Sequence, residues 1–260
     1  MRETKALLLA AGLGIRLSPL TDIWPKCLMP IKSRPLLEYW LGILHNTDID
    51  NVLVNTHYFS EYVEGFLKQP HFKDWVHSVY EVKLLGTAGT LRENAGFFQN
   101  STVMLAHADN WACCDFSNFL SYHHCQRPKG TVMTMMTFTC TKPSTCGIVE
   151  LDSNGIVTKF HEKVKNPPSK LANAAVYLIE PEVIEWIENN PEITDFSIEV
   201  ITQFIGKIAT WENQNIHRDI GTVEALKEAQ MDKCETPPWT EESSWQQDFL
   251  SNSIHKLIAR

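Results

Sequence analysis

The feature that most constrains this chain is a junction near its N-terminus, where the apolar run 5–11 (KALLLAA) meets the glycine turn Gly12-Leu13-Gly14. A run that is apolar at consecutive rather than alternate positions suits a strand covered on both faces, as in a parallel sheet. Glycines directly after it permit backbone conformations closed to other residues and let amide N–H groups close around an anion. Arg16 and Lys26 follow, so fixed positive charge accompanies the turn. The junction predicts a buried strand that ends at an anion-binding loop. That loop is neither the G-x-x-x-x-G-K-[ST] phosphate loop nor the three-glycine dinucleotide fingerprint, because the closing Lys-Ser/Thr pair and the third glycine are both missing.

Downstream, residues 35–44, 60–67 (with Ser60 as cap) and 87–94 read as helices, and 52–54, 79–82 and 102–106 as strands. This alternation predicts an α/β fold. From Gly130 the texture changes. Residues 131–140 are rich in threonine, valine and methionine, and 147–160 hold two short runs around the turn Ser153-Asn154-Gly155, which predicts an antiparallel excursion. Residues 174–179 read as a strand, and 181–188, 197–205 and 223–230 as helices.

The net charge of −8 argues against a nucleic-acid partner, since phosphate-backbone binding needs a basic face. Residues 1–35 nevertheless carry six basic side chains against two acidic ones, so a small polyanion has a place to dock. Seven cysteines, odd in number and without a C-x-x-C pair, fit a reducing, cytoplasmic setting rather than a disulfide framework. No apolar run approaches a membrane span, and the 6–15 stretch, broken by glycines, reads as a strand rather than a signal core.

The segment GLGIRLSPLT followed by PKCLMP resembles the N-terminal signature of the sugar-1-phosphate nucleotidylyltransferases, G-x-G-[ST]-R-L-x-P-L-T and then P-K-P-x-x-P. Ile15 stands where that family carries a hydroxyl, and Cys27 where it carries proline. Later motifs arrive in the family's order to about Ala229. The resemblance implies an α/β fold with a Rossmann-like mixed, mostly parallel sheet flanked by helices, of the nucleotide-diphospho-sugar transferase type, with a small antiparallel sugar-binding excursion. It implies one domain over 1–232, with a nucleotide-binding half (about 1–129) and a sugar-phosphate-binding half (about 130–232), and a tail over 233–260 whose role is unread. The repeated hexapeptide pattern of the left-handed β-helix that many relatives append is not found, so neither an acetyltransferase activity nor that mode of trimerisation is expected.

By the same resemblance, Leu9, Ala11, Gly12, Gly14, Gly86, Thr87 and Ala88 contact the nucleotide, and Arg16 and Lys26 are catalytic. Asp109 and Asp219 hold Mg²⁺, while Gly147, Glu162, Lys163 and Asn173 take the sugar phosphate. The implied substrates are a nucleoside triphosphate and a sugar 1-phosphate, with pyrophosphate leaving. The mannose-1-phosphate guanylyltransferase branch, including enzymes for manno-configured heptose phosphates, is most similar. UTP, CTP or dTTP as donor, phosphocholine or a molybdopterin as acceptor, a silent regulatory subunit that binds a nucleotide-sugar, and a homo-oligomer all remain open.

Blander roles compete at several positions. Asp219 could cap the helix that follows it, Glu162-Lys163 could be a solvated surface pair, and Asn173 could bond a neighbouring backbone group. Cys113, Cys114, His123, His124 and Cys125 offer zinc-type ligands, but adjacent residues poorly supply one ion, so a structural role is preferred. Trp186 and Trp211 read as core fillers.

Overall fold

The N-terminal apolar run becomes a strand, β1 (Thr4–Leu9), with Ala6, Leu7 and Leu8 wholly enclosed, in a computed structural model that describes residues 2–234 and 243–258. The strands that follow are β2 (Pro30–Ile31), β3 (Arg34–Pro35), β4 (Asn51–Thr56), β5 (Val76–Tyr80), β6 (Thr102–His107), β7 (Asn110–Ala112), β8 (Met133–Thr139), β9 (Gly147–Leu151), β10 (Val157–Glu162), β11 (Leu171–Ile179), β12 (Ile208–Glu212) and β13 (His217–Asp219). The helices are α1 (Leu36–His45), α2 (Ser60–Leu67), α3 (Thr87–Glu93), α4 (Phe116–Cys125), α5 (Pro181–Glu188), α6 (Ile201–Gln203), α7 (Val223–Met231), α8 (Ser244–Ser251) and α9 (Ile254–Ile258). This is the α/β class that the alternation predicts, with helices flanking a mixed sheet.

Two compact units interleave along the chain. The first takes Met1–Leu7, Leu85–Ala106 and Asp115–Gln214, and the second Leu8–Leu84, His107–Cys114 and Asn215–Arg260. In the first unit β11 is the hub: it runs antiparallel to β6, β8 and β9, while β12 adds to β8 in parallel. β9 and β10 form the antiparallel hairpin expected at Ser153-Asn154-Gly155, with Gly155 in the left-handed region. In the second unit β4 and β5 are parallel, and β7 and β13 make a short antiparallel ribbon that bears on the site below.

Three local expectations change. Ser60 is the first residue of α2 and caps nothing. The chain enters that helix through Phe59 at φ 51°, a left-handed entry that the Phe59 ring supports by packing on Tyr58 and Tyr62. The strand expected at 79–82 lies earlier, at Val76–Tyr80. The helix expected over 197–205 opens as a π-helical turn, Phe196–Val200, because Asp195 accepts the Ile198 N–H and fixes its start, and only Ile201–Gln203 is α-helical.

The expectation that no cysteines pair is also corrected, since Cys113 and Cys234 form a disulfide with Cα atoms 6.2 Å apart. Neither the odd count nor the missing C-x-x-C spacing could reveal a pair 121 residues apart. The approach is made by neighbours. β13 pairs with β7 just before Cys113, and the Asp232 carboxylate accepts the Trp111 indole N–H and two Arg218 N–H groups just before Cys234. Denatured without reductant, the protein should yield five reactive thiols per chain, and seven after reduction, in a colorimetric thiol assay.

Of the other Cys/His candidates, His123 has a clear structural place. His123 is fully buried on α4, where its Nε2–H donates to Glu180 Oε1 (2.9 Å) and its Nδ1 accepts from the Thr134 hydroxyl (2.7 Å), since a carboxylate can only accept. Arg127 reaches the same carboxylate at 3.0 Å. Burial pushes the His123 imidazole down from 6.5 to about 4, against the pull of Glu180. The hydrogen bond from His123, together with the Arg127 charge, holds Glu180 at about 2.

Unfolded, the imidazole takes a proton near 6.5, whereas the folded one takes it only near 4. Stability present at neutral pH therefore falls as pH drops through that window, and Glu180 extends the loss from 4.5 to about 2. A His123→Gln variant should flatten the fall between pH 6.5 and 4 by about 3 kcal/mol, read from denaturant melts across pH.

Candidate active site

The glycine turn of the second unit is built by close approach. Gly14 sits at φ 64°, and a Cβ there would lie 2.8 Å from Thr21 Cγ2 and 3.2 Å from Lys26 Cβ. Only glycine lets these three close up. The Leu17 N–H returns to the Gly14 carbonyl at 2.8 Å, forming the 3-10 turn Ile15–Leu17 that presents Arg16, and the Thr21 hydroxyl donates to the same carbonyl at 2.9 Å. A second 3-10 turn, Lys26–Leu28, is held where the Trp24 indole N–H donates to the Leu28 carbonyl at 2.9 Å. It turns Lys26 inward, leaving its side chain 5% exposed.

The buried ammonium is shared. Lys26 Nζ donates to Asp109 Oδ2 at 3.1 Å and to Asp219 Oδ1 at 3.0 Å, while Arg16 Nη2 donates to Asp219 Oδ2 at 2.7 Å. The β7–β13 ribbon explains why two aspartates so distant in sequence meet, because Asp219 stands opposite Asn110, the residue after Asp109. Gly221 leaves room for the pair as well: a Cβ there would lie 2.7 Å from Arg16 Nη2 and 2.9 Å from Asp219 Oδ1, so the Arg16 end would have to shift. Gly12 lies beside Asp109, its would-be Cβ 3.7 Å from Oδ2. Asp219 is not the cap of α7, because the Thr222 hydroxyl accepts the Ala225 N–H in that role.

Burial works to raise the Asp219 carboxyl, but the Lys26 charge and hydrogen bonds from Arg16 and Lys26 outweigh it and hold the group at about 2. Burial pushes the Cys27 thiol up to about 12, so the residue at the family's proline position is an inert filler. Leu13, Gly14, Ile15, Arg16, Lys26, Asp109 and Gly221 line a concavity of about 280 Å³. Among the described residues no group of three or more His, Cys, Asp and Glu side chains is placed to hold a metal. Two carboxylates gathered on one ammonium fit a hard divalent ion that takes its other oxygens from phosphate and water.

Leu9 and Ala11 flank this site at the end of β1, where ligands bind in open α/β sheets. The Leu9 carbonyl accepts the Ala108 N–H at 3.0 Å, and Ala11 is buried. Between them, the Ala10 N–H donates to Asn55 Oδ1 at 2.7 Å, and Asn55 Nδ2 donates to Glu81 Oε1 at 2.9 Å. Sequence reading passed over this buried pair. Its signal was an asparagine inside the apolar β4 run.

The other candidates belong to the first unit. A Cβ at Gly86 (φ 78°) would lie 2.5 Å from the Thr194 carbonyl, which also accepts the Ala88 N–H at 2.9 Å, while the Thr87 hydroxyl oxygen accepts the Phe196 N–H at 2.7 Å. The Leu-Gly-Thr-Ala-Gly segment is thus docked on residues 194–196. Gly147 faces Glu162 across the β9–β10 pair, and a Cβ at Gly147 would meet Phe160 Cζ at 2.5 Å and Glu162 Oε2 at 2.8 Å. Lys163, at φ 48°, gives its N–H to the Cys146 carbonyl at 3.2 Å and its ammonium to Glu162 Oε1 at 3.0 Å.

Asn173 precedes a break in the β11–β8 register, where Ala175 takes φ 53°. Its Oδ1 accepts the Ala175 N–H at 2.9 Å, and its Nδ2 donates to the Tyr177 hydroxyl at 2.6 Å. Burial pushes that phenol up to about 12, and Ser197 also bonds it. Tyr177 was missed by sequence reading, though alternation along β11 could have flagged a polar tip inside the core.

Residues 5–236 match the Nucleotidyl transferase family. A relative from Sulfolobus acidocaldarius, provisionally named a mannose-1-phosphate guanyltransferase, is 31% identical over 192 residues, covering 74% of this chain and 52% of that protein. A UTP–glucose-1-phosphate uridylyltransferase from Synechocystis is 31% identical over 205 residues, covering 72% of this chain and 52% of that protein. The chain thus spans about half the length of these curated relatives. A Bacillus anthracis crystal structure, of a provisionally named glucose-1-phosphate thymidylyltransferase in complex with a sucrose, shares the fold with a TM-score of 0.77 at 21% identity, covering 94% of this chain and 99% of that one. With its signature loop, paired aspartates and near-complete family match in place, the chain belongs to the nucleotidyl transferase family.

Proposed function

We propose that the protein transfers a nucleotidyl group from a nucleoside triphosphate to a sugar 1-phosphate, releasing pyrophosphate. The observation that carries this reading is the sharing of the Lys26 ammonium by Asp109 and Asp219, with Arg16 beside it on a glycine turn. Two carboxylates next to a polyphosphate would repel it, but here they are balanced by two fixed cations. A bound Mg²⁺ would be held by Asp109 and Asp219 and would supply further charge neutralisation for the phosphate oxygens.

The chain's own residues do the rest. Gly12 and Gly14 let the loop backbone approach the triphosphate, and Arg16 and Lys26 stabilise negative charge that grows on the α-phosphoryl oxygens and on the departing pyrophosphate. The attacking sugar-phosphate oxygen is already anionic, so no protein nucleophile is needed, and Asp219, ionised down to about pH 2, is not a proton donor at neutral pH. Leu9, Ala11, Gly86, Thr87 and Ala88 are assigned to the nucleotide. Gly147, Glu162, Lys163 and Asn173 are assigned to the sugar phosphate, for which the exposed Lys163 ammonium supplies a cation and Glu162 a hydroxyl acceptor.

GTP with a mannose-like 1-phosphate is the favoured pair, supported by the motif likeness and the name of the Sulfolobus relative; the Synechocystis relative keeps UTP and glucose 1-phosphate as the first competing pair. A matrix of four nucleoside triphosphates against several sugar 1-phosphates, scored by magnesium-dependent pyrophosphate release, should single out one pair. Silence across the whole matrix would overturn the reading.

Lys26→Ala and Asp109→Ala should each lower turnover by about 10²-fold or more, as loss of a preorganised charge does elsewhere, while leaving the thermal melt cooperative. In Lys26→Met, the Asp219 carboxyl should titrate clearly above its native value of about 2, a rise that carboxyl-carbon NMR can follow.

A further inference from the structure

Part of the polar tail after Cys234 folds into two helices whose contacts converge on the signature loop. Phe249, on α8 and 1% exposed, packs its ring 6.0 Å from Trp24 and stacks on Trp245 at 5.2 Å. Trp245 in turn meets Phe66 of α2 at 4.9 Å, and Trp24 meets Tyr62 of α2 at 4.8 Å. α9 packs against residues Leu20–Asp22 and against α7, with Ile254 wholly buried. Ser243 fastens the near end, capping α8 through the Gln246 N–H and donating to Gln69 Oε1 at 2.9 Å.

These contacts fall on the two segments that shape the site. Thr21, within the turn that α9 covers, donates to the Gly14 carbonyl, and Trp24, on which Phe249 packs, donates to the carbonyl of Leu28, the last residue of the Lys26 turn. Among the described residues, none of the tail lines the concavity. We propose that the 243–258 hairpin is a positioning element for catalysis, in which Phe249 and Ile254 brace the Leu20–Trp24 stretch and so fix Gly14 and Lys26 in register with the two aspartates. The consequence for turnover rests on the transferase reading, and the consequence for loop order does not. Ground-state substrate affinity should depend on the brace only weakly. Turnover should depend on it strongly, because misplacing a catalytic charge by a fraction of an ångström is felt mainly in the transition state.

The test uses the full chain with Phe249→Ala, Phe249→Leu and Ser243→Ala. Phe249→Ala should lower kcat by about tenfold or more with KM for both substrates within about threefold, and Phe249→Leu should restore most of it, since a positioning defect of this kind scales with lost packing. Amide hydrogen exchange over residues 14–29, measured well below the melt, should quicken in Phe249→Ala and less so in Phe249→Leu. Should Phe249→Ala not fold, Ser243→Ala loosens the hairpin at its cap without opening a core cavity and is read in the same two ways.

A folded Phe249→Ala, or failing that Ser243→Ala, with unchanged kcat and unchanged exchange in the loop would overturn the brace while the transferase reading stood. If the wild-type chain releases no pyrophosphate from any substrate pair, the reaction falls and the exchange comparison alone decides for or against the brace.

Discussion

A single buried ammonium organises the candidate active site of the second unit. Lys26 is enclosed, and a cation removed from water is stable only when charge partners replace its hydration. Asp109 and Asp219 are those partners, so folding the loop and joining the two aspartates are one event. The β7–β13 ribbon brings the carboxylates to the loop, the 3-10 turn at Lys26 brings the ammonium to them, and Gly14 and Gly221 vacate the space that lets the approach close. The arrangement explains why Asp219 stays ionised although burial alone would raise its pKa.

What was legible in the sequence followed from local rules. A run apolar at consecutive positions becomes the buried strand β1, Pro181 opens α5, and Ser153-Asn154-Gly155 turns the β9–β10 hairpin. The glycine turn with Arg16 and Lys26 was legible as an anion-binding loop, whereas Asp109 and Asp219 were joined to it only by the resemblance to the sugar-1-phosphate nucleotidylyltransferases. The parts that escaped depend on long-range packing. Nothing near Cys113 or Cys234 announces their pairing, and Ser60 looks like a cap until the aromatic packing of Phe59 sets the entry angle of α2. The Thr194–Phe196 stretch that receives Gly86, Thr87 and Ala88 is apparent only once the chain has folded.

The first unit handles its polar candidates differently. At the sugar-phosphate candidates the backbone itself is unusual: Lys163, just after β10, and Ala175, within β11, both take left-handed conformations that cost non-glycine residues energy and persist only when neighbours fix them. At Ala175 the fixing group is the Asn173 side chain, with one end on the Ala175 N–H and the other on the Tyr177 hydroxyl. Any sugar hydroxyl that Asn173 accepts or donates to must share an amide already engaged with its own strand. The Asn173–Tyr177 pair therefore sets the geometry in which such a contact could form.

The acidic balance of the whole chain is not repeated at the site, where cations and carboxylates are equal in number. The whole chain carries −8, which alone would repel a triphosphate. Interactions beyond about 10 Å are largely screened in physiological salt, so the ligand responds to its neighbours rather than to the distant acidic surface. Those neighbours are two cations and two carboxylates, a neutral set when empty. Under the proposed transferase reading, a divalent ion held by Asp109 and Asp219 would turn the set positive and favour a polyphosphate, and by linkage the polyphosphate would favour the ion equally.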